Sequence, residues 1–476
     1  MESAASYTEV NRSGVNDSAQ NHETAQNYGL REGVLSPTQT LAQSISTIAP
    51  STSPTITVPL VAVLAGNGTW LAYLIALAGI LLIAGCISRF GRYSASPGSL
   101  YKYAGESLPP WAGTLAAWSL LLAYIGTGAS VAGGFVSYAQ MLALAATGHA
   151  LLPGVVWAIL VIGISTLLAC RDVQFSTRLM LWIEIAAVLS ILAVLVLVLA
   201  RHGLHLDRAQ THLQNVTPGG VRLALVLALF SFVGFESAST LGHEVRNPLK
   251  TIPRAVMQSA LLGGAFFLLA TYTETLGFNT AGLSLGASDA PFHVLSLQAH
   301  VPALGLLIDV AVFISLFACT LACISAAARV MLLMAHNGIA NKWLLRGTHT
   351  AQHAPVDAAL VSGVLILLPV CGLVLCGVNG FDIYGWMGSM AVYGFLTAYA
   401  LACIALPIFL LRRRELTPWM MLLPAAAVMA ILLALVGTLY PVPPPPYSRL
   451  PYVYLAVLLA GLLSSWMTNR AIAAKR

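Results

Sequence analysis

Long apolar runs alternate with short polar stretches along nearly the whole chain. Twelve of these runs are about 20 residues or longer, which is the helix length needed to cross roughly 30 Å of hydrocarbon. Residues 1–35 are polar and contain no such run, so we expect a disordered tail there and not a cleaved signal peptide. We predict membrane-spanning helices at residues 40–65, 69–88, 111–142, 151–170, 176–201, 220–243, 256–278, 303–335, 356–377, 380–411, 418–439 and 451–468.

Composition supports an all-α polytopic membrane protein. Of the 476 residues, 58% are hydrophobic and only 8% are charged, and the mean hydropathy is +0.81. These values exclude an ordinary soluble globular domain.

The positions of Lys and Arg predict the orientation. If both termini are cytoplasmic, most basic residues fall on the inner side, and the predicted outer loops hold only Arg201, Arg208, Arg222 and Arg449. This asymmetry follows the positive-inside rule and predicts a multi-pass protein of the cytoplasmic membrane. It also accounts for the net charge of +6, so no nucleic-acid partner is needed to explain the excess of basic residues.

The first span is interrupted. Residues 44–57 read SISTIAPSTSPTIT, with Pro50 and Pro54 in the middle of an apolar run. Each proline lacks an N–H group and disfavours the helical conformation of the preceding residue, so we predict a break over Ala49 to Ser53.

The sixth span is interrupted as well. Gly234 lies in its middle, Glu236 follows two residues later, and neighbouring serines add polarity that lipid would not tolerate. We predict that this span unwinds over Phe232 to Phe235.

Two such breaks together point to a binding site. Irregular backbone at membrane depth is tolerated where it is packed in protein or lines a cavity, and paired broken helices mark the substrate site of many secondary transporters. Breaks in spans one and six predict two inverted repeats of five helices. We therefore predict a transporter core of ten helices at residues 36–411. Residues 412–476 are predicted to form two further membrane helices and a short cytoplasmic C-terminus.

The chemistry of the breaks predicts a small amine-bearing solute. Ser53 is a good N-cap and Pro54 suits the first helical position, so free amides there can bind a carboxylate. The carbonyl groups that end each preceding half-helix carry partial negative charge and suit an ammonium group. The predicted substrate residues are Ile48, Ala49, Ser51, Thr52, Ser53, Phe232, Val233, Gly234, Phe235 and Glu236.

Several motifs resemble those of amino-acid permeases of the amino acid, polyamine and organocation (APC) superfamily. Residues 232–236 read FVGFE, residues 243–254 read HEVRNPLKTIPR, residues 96–103 read SPGSLYKY, and residues 326–330 read AAARV. The resemblance covers about residues 31–440. It implies the leucine-transporter-like inverted-repeat fold, alternating access, and a substrate held between spans one and six.

The chain departs from this family at two places. The first break of many members is rich in glycine, whereas residues 49–54 here read APSTSP, which bears on how a substrate carboxylate is held. After the eighth span the family often has Gly-Arg-Asp-Gly, whereas residues 335–338 here read AHNG.

Acids within the spans are candidates for coupling, because charge at membrane depth is costly. Some members of the family that this chain resembles carry a proton-accepting lysine on the fifth helix. The resemblance places that position near Ala187, so this chain lacks the lysine. Glu184 lies one turn earlier, and we predict that it takes the proton instead, or that it only pairs with a neighbouring helix. Glu236 is the second coupling candidate. Glu274, Asp309 and Asp382 are expected at the outer interface.

The main hypothesis is a proton-coupled symporter for an amino acid or related amine. An exchanger of the same fold is the alternative, and a sodium-coupled carrier using Ser315, Thr320 and Ser325 is a weaker one. No cofactor or metal is expected, and a monomer is the default. A membrane-embedded enzyme is a remote alternative, since the chain lacks an HExxH motif and a paired-aspartate motif.

Overall fold

The structure is a computed structural model in which residues 30–98, 100–149, 151–171, 173–202, 206–349, 355–440 and 442–473 are described. Within these ranges the chain is helical, apart from loops and one isolated parallel bridge between Leu35 and Val245. Residues 1–29 of the predicted tail lie outside the described residues. In its described remainder, Leu35 is buried and pairs with Val245.

The α-helices are numbered in chain order. They are α1 Pro37–Ile48, α2 Val58–Ala65, α3 Thr69–Gly91, α4 Leu100–Ser107, α5 Pro110–Thr147, α6 Gly154–Ala169, α7 Val173–His202, α8 Arg208–Thr211, α9 Pro218–Phe230, α10 Pro248–Thr280, α11 Pro291–Gln298, α12 Pro302–His336, α13 Val356–Leu375, α14 Gly380–Arg412, α15 Leu422–Leu439 and α16 Leu450–Ala473.

Each predicted span coincides with helix. Among the described residues, nine helical stretches are long and apolar enough to cross a membrane, and the first of them, Pro37–Gly91, contains the predicted first and second spans. The predicted fourth and sixth spans correspond to the shorter apolar helices α6 and α9. The chain is therefore a multi-pass helical protein, and the count of twelve crossings stays a prediction.

The core of the bundle forms around α5. In its most apolar window 78% of the residues are buried inside the protein, against 28% in α15 and in α16. Helices α12 and α14 pack along α5, and α15 and α16 lie at the periphery.

Helix α1 begins at a well-formed cap. The Ser36 N–H donates to Gln39 Oε1 at 3.0 Å, the Gln39 N–H donates to Ser36 Oγ at 3.3 Å, and Pro37 occupies the first helical position. Two orphan backbone groups are thereby satisfied at the predicted cytoplasmic end of the helix.

The same end is tied to the segment that follows the sixth span. The Leu35 N–H donates to the Glu244 carbonyl at 2.8 Å, and the Arg246 N–H donates to the Leu35 carbonyl at 3.0 Å. These bonds hold the beginning of the first span and the end of the sixth span together.

A buried ion pair secures this contact. Arg329 of α12 donates from Nε to Glu244 Oε2 at 2.7 Å and from Nη2 to Glu244 Oε1 at 3.1 Å. Both side chains are at most 5% exposed. We call the Arg329–Glu244 pair the inner latch.

The two interrupted spans also contact each other at their breaks. Gly234 has a φ of +93°, and a β-carbon added there would lie 2.8 Å from Thr47 Cβ. Any side chain at this position would be strained and would also push against α1.

Removing one member of the inner latch should destabilise the fold strongly. We expect Arg329→Gln to reduce the free energy of unfolding by about 3–5 kcal/mol, because Glu244 is left buried without its counter-ion. Thermal unfolding of the purified protein in detergent measures this.

The double variant Glu244→Gln/Arg329→Gln is the matched control and should recover much of the loss. Lys102→Gln removes an ion pair with Glu106 whose two side chains are 25% and 23% exposed, and it should change stability by about 1 kcal/mol or less. A single Arg329→Gln variant as stable as wild type would contradict the role given to the latch.

Gly234→Ala should also destabilise, through both the positive φ and the collision with Thr47. The backbone part alone is worth roughly 1–3 kcal/mol. Gly377→Ala is the matched control, because Gly377 has a φ of +81° with no atom within 4 Å of an added β-carbon. The unfolding midpoint should fall further for Gly234→Ala, and equal losses would show that the contact with Thr47 is unimportant.

Candidate functional site

The first break is a sharp turn followed by a wider helical turn. Helix α1 ends at Ile48, and Ala49 takes the left-handed conformation with a φ of 48°. The N–H groups of Thr52 and Ser53 both donate to the Ala49 carbonyl, at 2.9 and 3.3 Å. A π-helical turn, Ser53–Thr57, then leads into α2.

This geometry corrects the predicted cap. Thr52 and not Ser53 precedes the helical turn, Thr52 makes no side-chain cap bond, and Pro54 is its second residue. The turn begins one residue earlier than predicted, because the Ala49 carbonyl accepts hydrogen bonds from the N–H groups of both Thr52 and Ser53.

The second break extends over six residues. Helix α9 ends at Phe230, and residues 231–236 form turns before the 3₁₀ segment Ser237–Leu241. The Phe235 N–H donates to the Phe232 carbonyl at 3.3 Å. The carbonyl groups predicted to be unpaired are those of Ile48, Ala49, Phe232 and Val233. The prediction is wrong for Ala49 and Phe232, because each of these two carbonyl groups accepts a hydrogen bond from its own break.

Side chains of α1 supply partners for the second break. Ser44 Oγ donates to the Phe235 carbonyl at 2.7 Å and accepts from the Ala238 N–H at 2.9 Å. Ser237 Oγ lies 2.9 Å from Thr47 Oγ1. The two breaks thus form one polar unit inside the apolar bundle.

The structure brings the predicted substrate residues to these two breaks and buries all of them. Nine of the ten side chains are at most 4% exposed, and the tenth residue, Gly234, is buried as well. The members of this set are Ile48, Ala49, Ser51, Thr52, Ser53, Phe232, Val233, Gly234, Phe235 and Glu236.

Glu236 joins the second break to two scaffold helices. The Tyr124 hydroxyl of α5 donates to Oε1 at 2.8 Å, and the Tyr399 hydroxyl of α14 donates to Oε2 at 2.5 Å. The Glu236 side chain is fully buried. The two tyrosine hydroxyls thus connect the second break to α5 and α14.

Glu184 joins the first break to α7 and α12. Ser51 Oγ lies 3.4 Å from Glu184 Oε2. Ser315 of α12 donates to Glu184 Oε1, and Ser51 Oγ donates to Ser315 Oγ at 2.6 Å. The carboxyl group of Glu184 is 1% exposed and lies against the unwound backbone.

The hydroxyl groups considered for a sodium site divide between two roles. Ser315 belongs to the Glu184 contacts, whereas Thr320 Oγ1 donates to the Leu316 carbonyl of its own helix at 2.8 Å. Thr320 therefore makes the ordinary backbone bond of a hydroxyl in a membrane helix.

Sequence reasoning considered Tyr124 and Tyr399 as lining residues but did not assign them to the site, and it did not predict that Glu274 and Asp309 are buried inside the protein. Glu274 is completely buried, and within the described parts of the chain neither of its carboxyl oxygens has a hydrogen-bond partner. Asp309 is 5% exposed, with Oδ2 3.4 Å from His293 Nδ1, whereas Asp382 is exposed as expected. Hydropathy gives the depth of a residue but not the direction it faces, so no sequence signal separated these cases.

One stretch matches a hydrolase pattern by chance. Residues 282–286 read GLSLG, which fits GxSxG. Here Ser284 lies between α10 and a 3₁₀ turn, Leu285–Ala287, whereas the nucleophile of that motif sits on a turn from strand to helix.

Comparison with known proteins agrees with this architecture. The sequence model of the amino acid permease family matches residues 41–468. The low-affinity putrescine importer of Escherichia coli K12 is 25% identical over 309 residues, covering 63% of this chain and 66% of the importer. The match thus spans slightly less than two thirds of that relative.

Other relatives are matched over more of their length. The methylthioribose transporter of Bacillus subtilis is 23% identical over 74% of this chain and 75% of its own length. A branched-chain amino acid permease of Lactococcus lactis is 23% identical over 80% and 82%. These relatives are transporters, which confirms the prediction that the chain is not an enzyme.

A solved structure shares the fold. The crystal structure of a variant of the Eremococcus coleocola manganese transporter superposes with a TM-score of 0.57 and 13% identity, over 92% of this chain and 94% of that one. At this identity the likeness concerns the transporter fold alone. By the family match over residues 41–468, the chain belongs to the amino acid permease family.

Proposed function

We propose that this permease moves an amino acid or a related amine across the cytoplasmic membrane by alternating access, coupled to protons. The observation that carries the proposal is the meeting of two broken spans, with all ten predicted substrate residues buried around them. Only a protein that opens to one side and then to the other can use such a site.

The proposed topology has twelve crossings, two inverted repeats of five helices and both termini in the cytoplasm. The distribution of Lys and Arg supports this orientation, and breaks in spans one and six support the repeat. In this arrangement the inner latch and the Leu35–Val245 bridge close the cytoplasmic side.

The names of the relatives support a small organic solute without selecting one. They include putrescine, methylthioribose and branched-chain amino acids. The choice must therefore depend on residues at the breaks, where this chain has Ser51, Thr52 and Ser53 between two prolines.

Glu184 is the proposed proton carrier. Its carboxyl group lies between the unwound segment and two helices, α7 and α12, so a change in its charge alters how tightly they are held. Burial disfavours the charged form of a carboxyl group, which allows proton uptake when water reaches the site. Glu236, held by two tyrosine hydroxyls, acts in this proposal as the organiser of the second break.

Uptake by proteoliposomes tests this function. We expect an acidic outer medium to drive accumulation of at least one of the solutes leucine, ornithine and putrescine. Glu184→Gln should bind the same solute but accumulate it no further than its equilibrium level, because the proton can no longer be carried.

Asp382→Asn, at an exposed acid, is the control and should behave as wild type. If Glu184→Gln keeps full accumulation driven by the pH gradient, Glu184 is not the carrier. If uptake by the wild type requires a second solute inside the vesicles and ignores the gradient, the protein is an exchanger.

A further inference from the structure

A concave pocket of about 400 Å³ lies beside the beginning of the first span. It is at the same end of the bundle as the inner latch, because the Leu35 backbone is hydrogen-bonded to Glu244 and to Arg246. We call it the arginine pocket. Its lining includes Ser36 and Thr38 at the start of α1, Arg178, Leu181 and Trp182 of α7, and Arg246, which follows the sixth span.

The two positive charges of the arginine pocket come from separate parts of the chain. Arg178 lies near the beginning of α7, whereas Arg246 lies between the second break and α10. Arg246 Nε donates to the Gly33 carbonyl at 3.0 Å, which fixes the position of its guanidinium group. The positive-inside rule asks only that both residues lie on the inner side, so their meeting in one concavity calls for a further reason.

These charges are not neutralised by the part of the chain that the structure describes. Among its residues, no Asp or Glu lines the arginine pocket, and neither Arg178 nor Arg246 forms an ion pair. Hydroxyl groups lie beside the charges, with Ser36 Oγ and Thr38 Oγ1 2.9 Å apart. Guanidinium groups together with hydroxyl donors are the usual partners of a phosphate group in proteins.

One wall of the arginine pocket is apolar and faces outwards. Trp182 is 67% exposed although it lies in the predicted fifth span, and Leu181 next to it lines the pocket too. Outward-facing tryptophans of membrane helices sit at the level of the lipid headgroups. Arg178 lies one turn nearer the beginning of α7, about 6 Å away along the axis at 1.5 Å per residue. The pocket thus offers charge at one side and an apolar surface at the other, which suits an amphiphile.

We propose that the arginine pocket binds the phosphate headgroup of an anionic phospholipid, with an acyl chain lying along Trp182 and Leu181. Basic pockets between membrane helices at the cytoplasmic side bind such headgroups in other proteins. A soluble phosphate compound has the same headgroup chemistry but leaves the apolar wall unused. The inference goes beyond the proposed function, because it does not depend on which solute is carried. A bound headgroup would join the start of α1, the start of α7 and the segment that follows the second break.

Native mass spectrometry of the delipidated protein in detergent measures the binding. The probes are phosphatidylglycerol, which is anionic, phosphatidylcholine, whose phosphate is balanced by an ammonium group, and glycerol 3-phosphate, which has no acyl chain. We expect phosphatidylglycerol to bind about tenfold or more tightly than phosphatidylcholine, because two uncompensated arginines favour a net negative headgroup. Glycerol 3-phosphate should not displace it at equal concentration.

Two pairs of substitutions locate the site. Arg178→Gln/Arg246→Gln should weaken the binding of phosphatidylglycerol by about tenfold or more and remove the preference over phosphatidylcholine. Arg92→Gln/Lys342→Gln is the matched control, since it removes two exposed basic side chains of the predicted inner side that do not line the pocket. This control should bind phosphatidylglycerol as the wild type does.

Three results would overturn the proposal. The first is equal binding of the two phospholipids to the wild type, and the second is an unchanged affinity for phosphatidylglycerol in the folded Arg178→Gln/Arg246→Gln protein. The third is displacement of the lipid by an equal concentration of glycerol 3-phosphate, which would make the pocket a site for a soluble phosphate. If the double variant does not fold, Arg178→Gln alone decides, because it keeps the bond between Arg246 and the Gly33 carbonyl.

Discussion

The structure depends on one constraint: backbone polar groups within the bilayer must find partners inside the protein. Two interrupted spans create many such groups at the same depth. Some are satisfied by the other break and some within the same break. Ser44 Oγ of the first span donates to the Phe235 carbonyl and accepts from the Ala238 N–H, whereas the Ala49 carbonyl accepts from two amides of its own break. Gly234 permits the close approach on which these bonds depend, because its backbone lies against Thr47.

Because the two breaks are hydrogen-bonded to each other, they form one unit. Two kinds of contact hold this unit in the bundle. The inner latch and the bridge at Leu35 hold their predicted cytoplasmic ends together. Glu236 ties the unit to α5 and α14, whereas Glu184 ties it to α7 and α12. In the proposed alternating access, opening to one side would loosen one set of carboxyl contacts while the other set keeps the two breaks together.

The sequence predicted the interruptions well, because Pro50, Pro54 and Gly234 act through local backbone geometry. It predicted the helical spans for a similar reason, since hydropathy depends on neighbouring residues. It could not predict which carbonyls are used, because a non-glycine residue such as Ala49 rarely adopts the left-handed conformation that turns its carbonyl group towards Thr52 and Ser53. Nor could it show that Tyr124 and Tyr399 converge on Glu236, because helices that are apolar all round carry no signal of the direction each residue faces.

The central claim is that a solute is held between the two breaks. Hydrogen–deuterium exchange of the protein in detergent, with and without saturating leucine, ornithine or putrescine, measures this most directly. The account predicts slower exchange of the amides in residues 44–57 and 230–241, with α16 unchanged. Slower exchange confined to other helices, with both breaks unaffected, would contradict it.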